Sequence, residues 1–217
     1  MWALISFTLG IPLVAINTFL PQIVGRLGLS SVQTNLYTVA PNVASAVFLI
    51  LVTQSSDRFR ERGLHICGCL ALQITGWLTL VLLDSSAVHA TYGATFLAAM
   101  GATAPSVLTA TWYTNNTASE SRRAALAAVM VAIANSAGLV STNIFRKEWE
   151  PRYIPSLAIS AGAAAVCFLT TLSWALYMRW DNAQRDRRQG GIRTRAQDVS
   201  TSKLAEGWKS PHFRWAL

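Results

Sequence analysis

Six stretches of this chain, 2–24, 35–53, 64–83, 91–113, 124–144 and 157–178, are each long and apolar enough to cross a bilayer. A hydrocarbon core about 30 Å thick takes roughly 20 helical residues. Lipid offers no water to a backbone N–H or C=O, so each stretch must satisfy its own peptide groups, and only a helix does that alone. Pro12 and Pro105 fall inside two of these stretches. They do not disqualify them, because neighbouring helices can satisfy the freed carbonyls. Composition agrees: 52% of residues are hydrophobic and 13% charged, against about 25% charged in a soluble domain. The expected fold class is therefore all-α membrane, with a six-helix domain over 1–178. Residues 179–217 are polar and basic, broken by Gly190 and Gly191, and are expected to form a largely disordered tail.

The charge is as informative as the apolar runs. The net charge of +8 does not point to nucleic acid, because the basic residues fall between and after the spans. Fourteen of the 18 lie on one side of an alternating six-span arrangement: Arg58, Arg60 and Arg62, then Arg122 and Arg123, then the tail. Lysine and arginine are retained on the cytoplasmic side, so both ends are expected in the cytosol. The dense cluster "SSDRFRERG" (55–63) then reads as a cytosolic hairpin between two membrane helices. One detail runs the other way. Arg26 follows the first span and nothing basic precedes it, which favours the opposite orientation for that helix alone. An upstream portion that fixes its entry would remove the conflict.

None of the ten acidic residues sits near the centre of a span, and the three histidines are at span ends or beyond. A proton relay inside a membrane normally uses a carboxylate or histidine at depth. Uncharged polar groups do occur there: Asn17, Asn42, Gln73, Thr103, Ser106 and Asn135. An amide can donate to and accept from a carboxylate or amide solute, and can equally serve as interhelical glue. Small residues recur at four-residue spacing, at Ala94, Ala98 and Ala102, at Ala124, Ala128 and Ala132, and at Ala134 and Gly138. Such rows let helices pack closely. Cys67, Cys69 and Cys167 lack zinc spacing, and no nucleophile–base pair appears, so no enzyme, cofactor or metal is expected.

Several motifs, in order along nearly the whole chain, resemble the C-terminal half of a major facilitator superfamily transporter, in the fungal allantoate permease-like anion:cation symporter branch. "FLPQIV" (19–24) and "NLYTVAPNVASAV" (35–47) resemble the family's seventh and eighth helices. Asn42 stands where a second proline is usual. "SDRFRERG" resembles the superfamily's acidic-arginine loop, with Thr53 in place of its usual glycine. "TWYTNNTASESRRA" (111–124), "ANSAGLVSTNIF" (134–145), "NAQRD" (182–186) and "FRWAL" (213–217) resemble later parts of the family.

The resemblance implies half of a twelve-helix bundle, with a six-helix half missing upstream and proton coupling placed there. It implies transport of small organic anions, such as vitamin-like or ureide carboxylates, in symport with protons across the plasma membrane. Asn17, Asn42, Trp112 and Asn135 become the candidate substrate cavity. Asp57, Arg58 and Arg62 become a cytosolic gate, with Asp57 near the start of the fifth span. Membrane lipid and the missing half are the expected partners. The alternative is a six-helix membrane protein that moves no solute and binds a partner half or regulates a full-length relative.

Overall fold

The computed structural model describes residues 1–25, 28, 30–83, 87–117, 119–150, 152–190, 194–199, 208 and 210–217. Six helices follow in order: α1 (Trp2–Gly25), α2 (Ser31–Phe59), α3 (Gly63–Leu82), α4 (Val88–Asn115), α5 (Glu120–Ile144) and α6 (Ile154–Arg188). Two short 3₁₀ turns lie at Lys147–Trp149 and Ala196–Asp198. All six helices are long and apolar enough to cross a membrane, and no strand occurs among the described residues, so the all-α six-span class holds. Arg26 and Asp84, expected in connections on one side, lie outside the described residues.

Helix ends differ from the apolar runs for local reasons. α2 begins early because Ser30 caps it: its hydroxyl accepts from the Gln33 N–H at 3.4 Å, and Gln33 Oε1 accepts from the Ser30 N–H at 3.2 Å. It also ends late, taking Asp57 and Arg58 into the helix and leaving only 60–62 as the connection. Arg60 turns the chain with a left-handed φ of 53°, and its N–H returns to the Ser56 carbonyl. The buried Ser56 hydroxyl donates to the Glu61 carbonyl at 3.0 Å. The expected hairpin is thus half helix and half tight turn.

The bundle is held by close backbone approach and by hydroxyls reaching across helices. A methyl added at Gly76 would sit 2.5 Å from the Ala98 nitrogen, and one at Gly101 would sit 2.5 Å from the Cys69 carbonyl oxygen. The row Ala94, Ala98 and Ala102 is buried in that same α3–α4 seam, as small-residue packing requires. A methyl at Gly10 would collide with the Ala134 carbonyl oxygen, and Ser141 Oγ donates to the Ile11 carbonyl at 2.6 Å, joining α1 to α5. Ser45 Oγ donates to the Ala99 carbonyl at 2.9 Å and joins α2 to α4. Contacts of this kind average about 0.6 kcal/mol each in membranes. Pro41 has no N–H for the Tyr37 carbonyl, and the Tyr92 hydroxyl donates to that oxygen instead at 3.0 Å.

α2 and α5 stand apart from the other four helices. Only 11% and 17% of their apolar windows are buried, against 44–56% elsewhere. Val39, Val43, Val47, Val129 and Val131 face outward at more than half exposure. The row Ala124, Ala128 and Ala132, expected to pack inside the bundle, lies on this outward face, while Ala134 and Gly138 meet α1.

The described part of 179–217 departs from the expected disordered tail. α6 continues to Arg188, with Arg185 paired to Asp181 one turn earlier at 2.8 Å. Residues 210–217 lie against the ends of α3, α4 and α6. Phe213 is 3% exposed and Arg214 2%, which a loose tail would not be.

Packing predicts a contrast between two glycines of the chain. Gly101→Val should destabilise the detergent-solubilised protein by about 1–3 kcal/mol through overpacking. Gly68→Val, where a methyl meets nothing within 4 Å, should stay within about 0.5 kcal/mol. Thermal unfolding followed by size-exclusion fluorescence measures both.

Candidate functional site

The candidate residues fall into two groups at different depths. Trp2 packs edge-on against Trp112 at 4.9 Å, which sets α1 beside α4 at the basic end of the bundle. Counting about 1.5 Å per helical residue from that level, Asn17 on α1 lies roughly 22 Å deep and Asn42 on α2 roughly 24 Å. Asn135 on α5, next to the Gly10 crossing, is about 10 Å nearer the basic end than Asn17. All three asparagines are exposed. Asn42 Nδ2 bonds back to the Thr38 carbonyl at 3.0 Å, leaving its oxygen outward. Asn17 and Asn135 have no hydrogen-bond partner among the described residues. They are not glue within this bundle. Those two present free amides, and they are exposed, as the apolar sides of α2 and α5 are.

Trp112 is not brought to this surface. Its side chain is fully buried, and its Nε1 donates to the Ala216 carbonyl at 2.9 Å. A methyl on Gly63 would press to 3.2 Å from the indole and 2.7 Å from the Ala175 Cβ, so α3, α4 and α6 converge around this ring. Gln73 is fully buried in the α3–α4 seam and lies apart from the exposed amides.

The gate residues sit together at the basic end. Arg62 Nη2 donates to Asp57 Oδ1 at 2.9 Å, with side-chain exposures of 13% and 69%. Half in water, such a pair contributes about 0–1 kcal/mol. Asp57 therefore meets the start of α3 in this conformation, where the resemblance placed it near the start of the fifth span. Arg58 is exposed on the same turn. Glu61 Oε2 binds Arg179 Nη2 at 2.6 Å, tying the turn to α6. The Arg62 N–H donates to the Leu217 O atom at 3.0 Å. An open cavity of about 810 Å³ lies here, lined by Arg60, Arg62, Arg123, Arg179 and Arg195 and by Asp57, Glu61 and Asp186.

Sequence reasoning missed the residues that capture 213–217. Asn116 and Asn182 each grip the N–H and C=O of one residue, Asp181 takes the Trp215 indole, and Asp186 takes Arg214. A signal was available. A disordered tail does not usually end in two aromatics and a leucine, and amides at span ends need partners.

No family model and no solved structure matches the chain. It is 44% identical over its whole length to an uncharacterized transporter of Schizosaccharomyces pombe, covering 43% of that protein. It is 42% identical over its whole length to the major facilitator-type transporter hxnP of Emericella nidulans, covering 44% of it. It is 30% identical, over 85% of the chain, to the high-affinity nicotinic acid transporter of Saccharomyces cerevisiae, covering 35% of it.

Accessibility of the amide surface is open to direct measurement. Cysteines replacing Asn17, Asn42 or Asn135 one at a time should react with a small membrane-permeant maleimide in the detergent-solubilised chain. One replacing the buried Ser45 should react more than about tenfold slower. The three native cysteines are buried and give a low background. Similarity over 85–100% of its length makes the chain homologous to transporters of the major facilitator type, and it spans less than half the length of those relatives.

Proposed function

We propose that the chain is one six-helix half of a major facilitator superfamily transporter, in the allantoate permease-like branch, that carries small organic carboxylates together with protons. One observation carries this. The two helices that stay unburied, α2 and α5, bear two of the three outward amides, in a chain that spans 43–44% of its transporter relatives. A second half laid against α2 and α5 would cover their valines and alanines and enclose Asn17, Asn42 and Asn135. An enclosed amide donates through its NH₂ to a carboxylate or a ring nitrogen and accepts through its oxygen from an amide N–H. Nicotinate, named for one relative, offers both a carboxylate and an acceptor nitrogen.

None of the described acids lies at mid-span: Asp57 closes α2, Glu120 opens α5, and Asp181 and Asp186 follow the apolar part of α6. The protonated group of the coupled step is therefore assigned to the other half. Asp57 and Arg58, two of the exposed charges at the α2–α3 turn, would form and break contacts with that half as the two rock around the site. The basic end faces the cytosol, and the membrane is the plasma membrane.

Uptake in a permease-deficient yeast tests this, with labelled nicotinate, allantoate and pantothenate, comparing the 217 residues with the locus extended upstream. Uptake is expected only from the extended form. In that form Asn42→Ala or Asn135→Ala should lower the uptake kcat/KM about tenfold, as loss of one hydrogen bond to a charged group does. Uptake by the chain alone would refute the division of labour between halves. Good membrane insertion without uptake from either form would favour a partner-binding or regulatory half-protein.

A further inference from the structure

We propose that the basic ends of α3, α4 and α6 form a groove that binds an extended peptide, and that the chain fills this groove with its own residues 213–217. The backbone of the segment is read by two asparagines. Asn116 Oδ1 accepts from the Ala216 N–H at 2.9 Å, and its Nδ2 donates to the Ala216 carbonyl at 2.9 Å. Asn182 does the same to the preceding residue, accepting from the Trp215 N–H at 2.9 Å and donating to its carbonyl at 3.0 Å. Each amide thus takes the place of a neighbouring β-strand residue. Two such clamps on consecutive residues hold any extended chain, whatever its side chains. The Trp112 indole adds a second donor to the Ala216 carbonyl, and the Arg62 N–H caps the segment at the Leu217 O atom.

Selectivity comes from the side chains of 213–215. Trp215 sends its Nε1 to Asp181 Oδ2 at 2.7 Å and packs edge-on against Trp174 and Phe213 at 5.9 and 4.9 Å. The Arg214 side chain is 1% exposed. Its Nε meets Asp186 at 3.0 Å, its Nη2 meets Gln189 Oε1 at 2.8 Å, and its Nη1 serves the Pro211 and Phe213 carbonyls. Without the arginine, Asp186, 13% exposed, would lose its charged partner. The ligand class is therefore an extended peptide of aromatic–Arg–Trp–small–apolar sequence. The site differs from the amide surface of α1, α2 and α5, and nothing in it depends on which solute is carried.

Occupancy has a mechanical consequence. Arg62, whose backbone caps the segment, also holds Asp57 through its side chain. A filled groove fixes the α2–α3 turn, and an empty one leaves it joined to α6 through Glu61 and Arg179.

The test uses the full chain in lipid nanodiscs with a protease recognition sequence placed within 200–207. After cleavage, the 208–217 fragment should stay with the helices through gel filtration and be displaced by excess synthetic peptide of the same sequence. Peptides carrying Arg214→Ala or Trp215→Ala should compete about tenfold or more weakly. The double variant Asn116→Ala, Asn182→Ala should release the fragment on cutting. Because the peptide variants leave the membrane domain untouched, their weakness cannot come from misfolding. Immediate loss of the wild-type fragment, or equal displacement by a scrambled peptide, would overturn the proposal.

Discussion

A methyl group on Gly101 would fall 2.5 Å from the Cys69 carbonyl oxygen and 2.6 Å from the Gln73 nitrogen, so α3 and α4 touch through their backbones. In lipid no hydrophobic drive brings helices together, because acyl chains are as apolar as leucine, and this closeness is what gives dispersion its grip. The rest of the bundle is assembled on that pair. α4 receives α2 through Ser45 and Tyr92, and Trp112 at its basic end receives Trp2 of α1. α3 begins at Gly63, pressed between Trp112 and Ala175 of α6. The seam also carries a cost. Both ends of the Gln73 amide are buried there without a partner among the described residues. Each such group costs about 1–3 kcal/mol, so the close packing around it must offset that penalty.

The six helices were legible because the bilayer imposes a single strong rule, and about 20 apolar residues in a row satisfy it in only one way. The seam was legible for a related reason. Ala94, Ala98 and Ala102 repeat at helical spacing, and small residues have one common use between membrane helices. The same pattern misled at Ala124, Ala128 and Ala132, because spacing tells that a face can be approached closely but not by which helix. Helix ends were harder. Those of α2 depend on Ser30, on Ser56 and on one left-handed residue, Arg60, not on hydropathy. Trp112 shows a third limit. A tryptophan at a span end suits a lipid interface, a cavity wall or a buried post, and only its neighbours decide.

The docking of 213–217 was hidden because its partners are distant in sequence. Asn116 and Asn182 are 66 positions apart and meet consecutive residues only once α4 and α6 have each packed against α3. Locally, 179–217 is polar, basic and glycine-broken, and such composition cannot bury enough apolar surface to order itself. It orders where a preformed surface supplies what it lacks: two amides for its backbone, Asp181 and Asp186 for its indole and guanidinium, and Trp174 for its rings.

The same geometry divides the labour of the charged cluster at 57–62. Glu61 is bound to Arg179, and the Arg62 backbone to Leu217, so these two residues hold the turn to its own bundle. The Asp57 side chain remains 69% exposed, and Arg58 is exposed beside it on the last turn of α2. Exposed charges on a rigid helix end are suited to reversible contacts, because each pair is worth about 0–1 kcal/mol and can be exchanged for water or another partner at little cost. A pair used as a permanent anchor is better placed as Glu61 is, 16% exposed and only 2.6 Å from its arginine. Anchoring and switching thus fall to different residues within six positions, and α2 supplies two of the outward charges, Asp57 and Arg58. That is also the helix whose apolar face this chain leaves most open, so whatever covers α2 will meet Asp57 and Arg58 at the same edge.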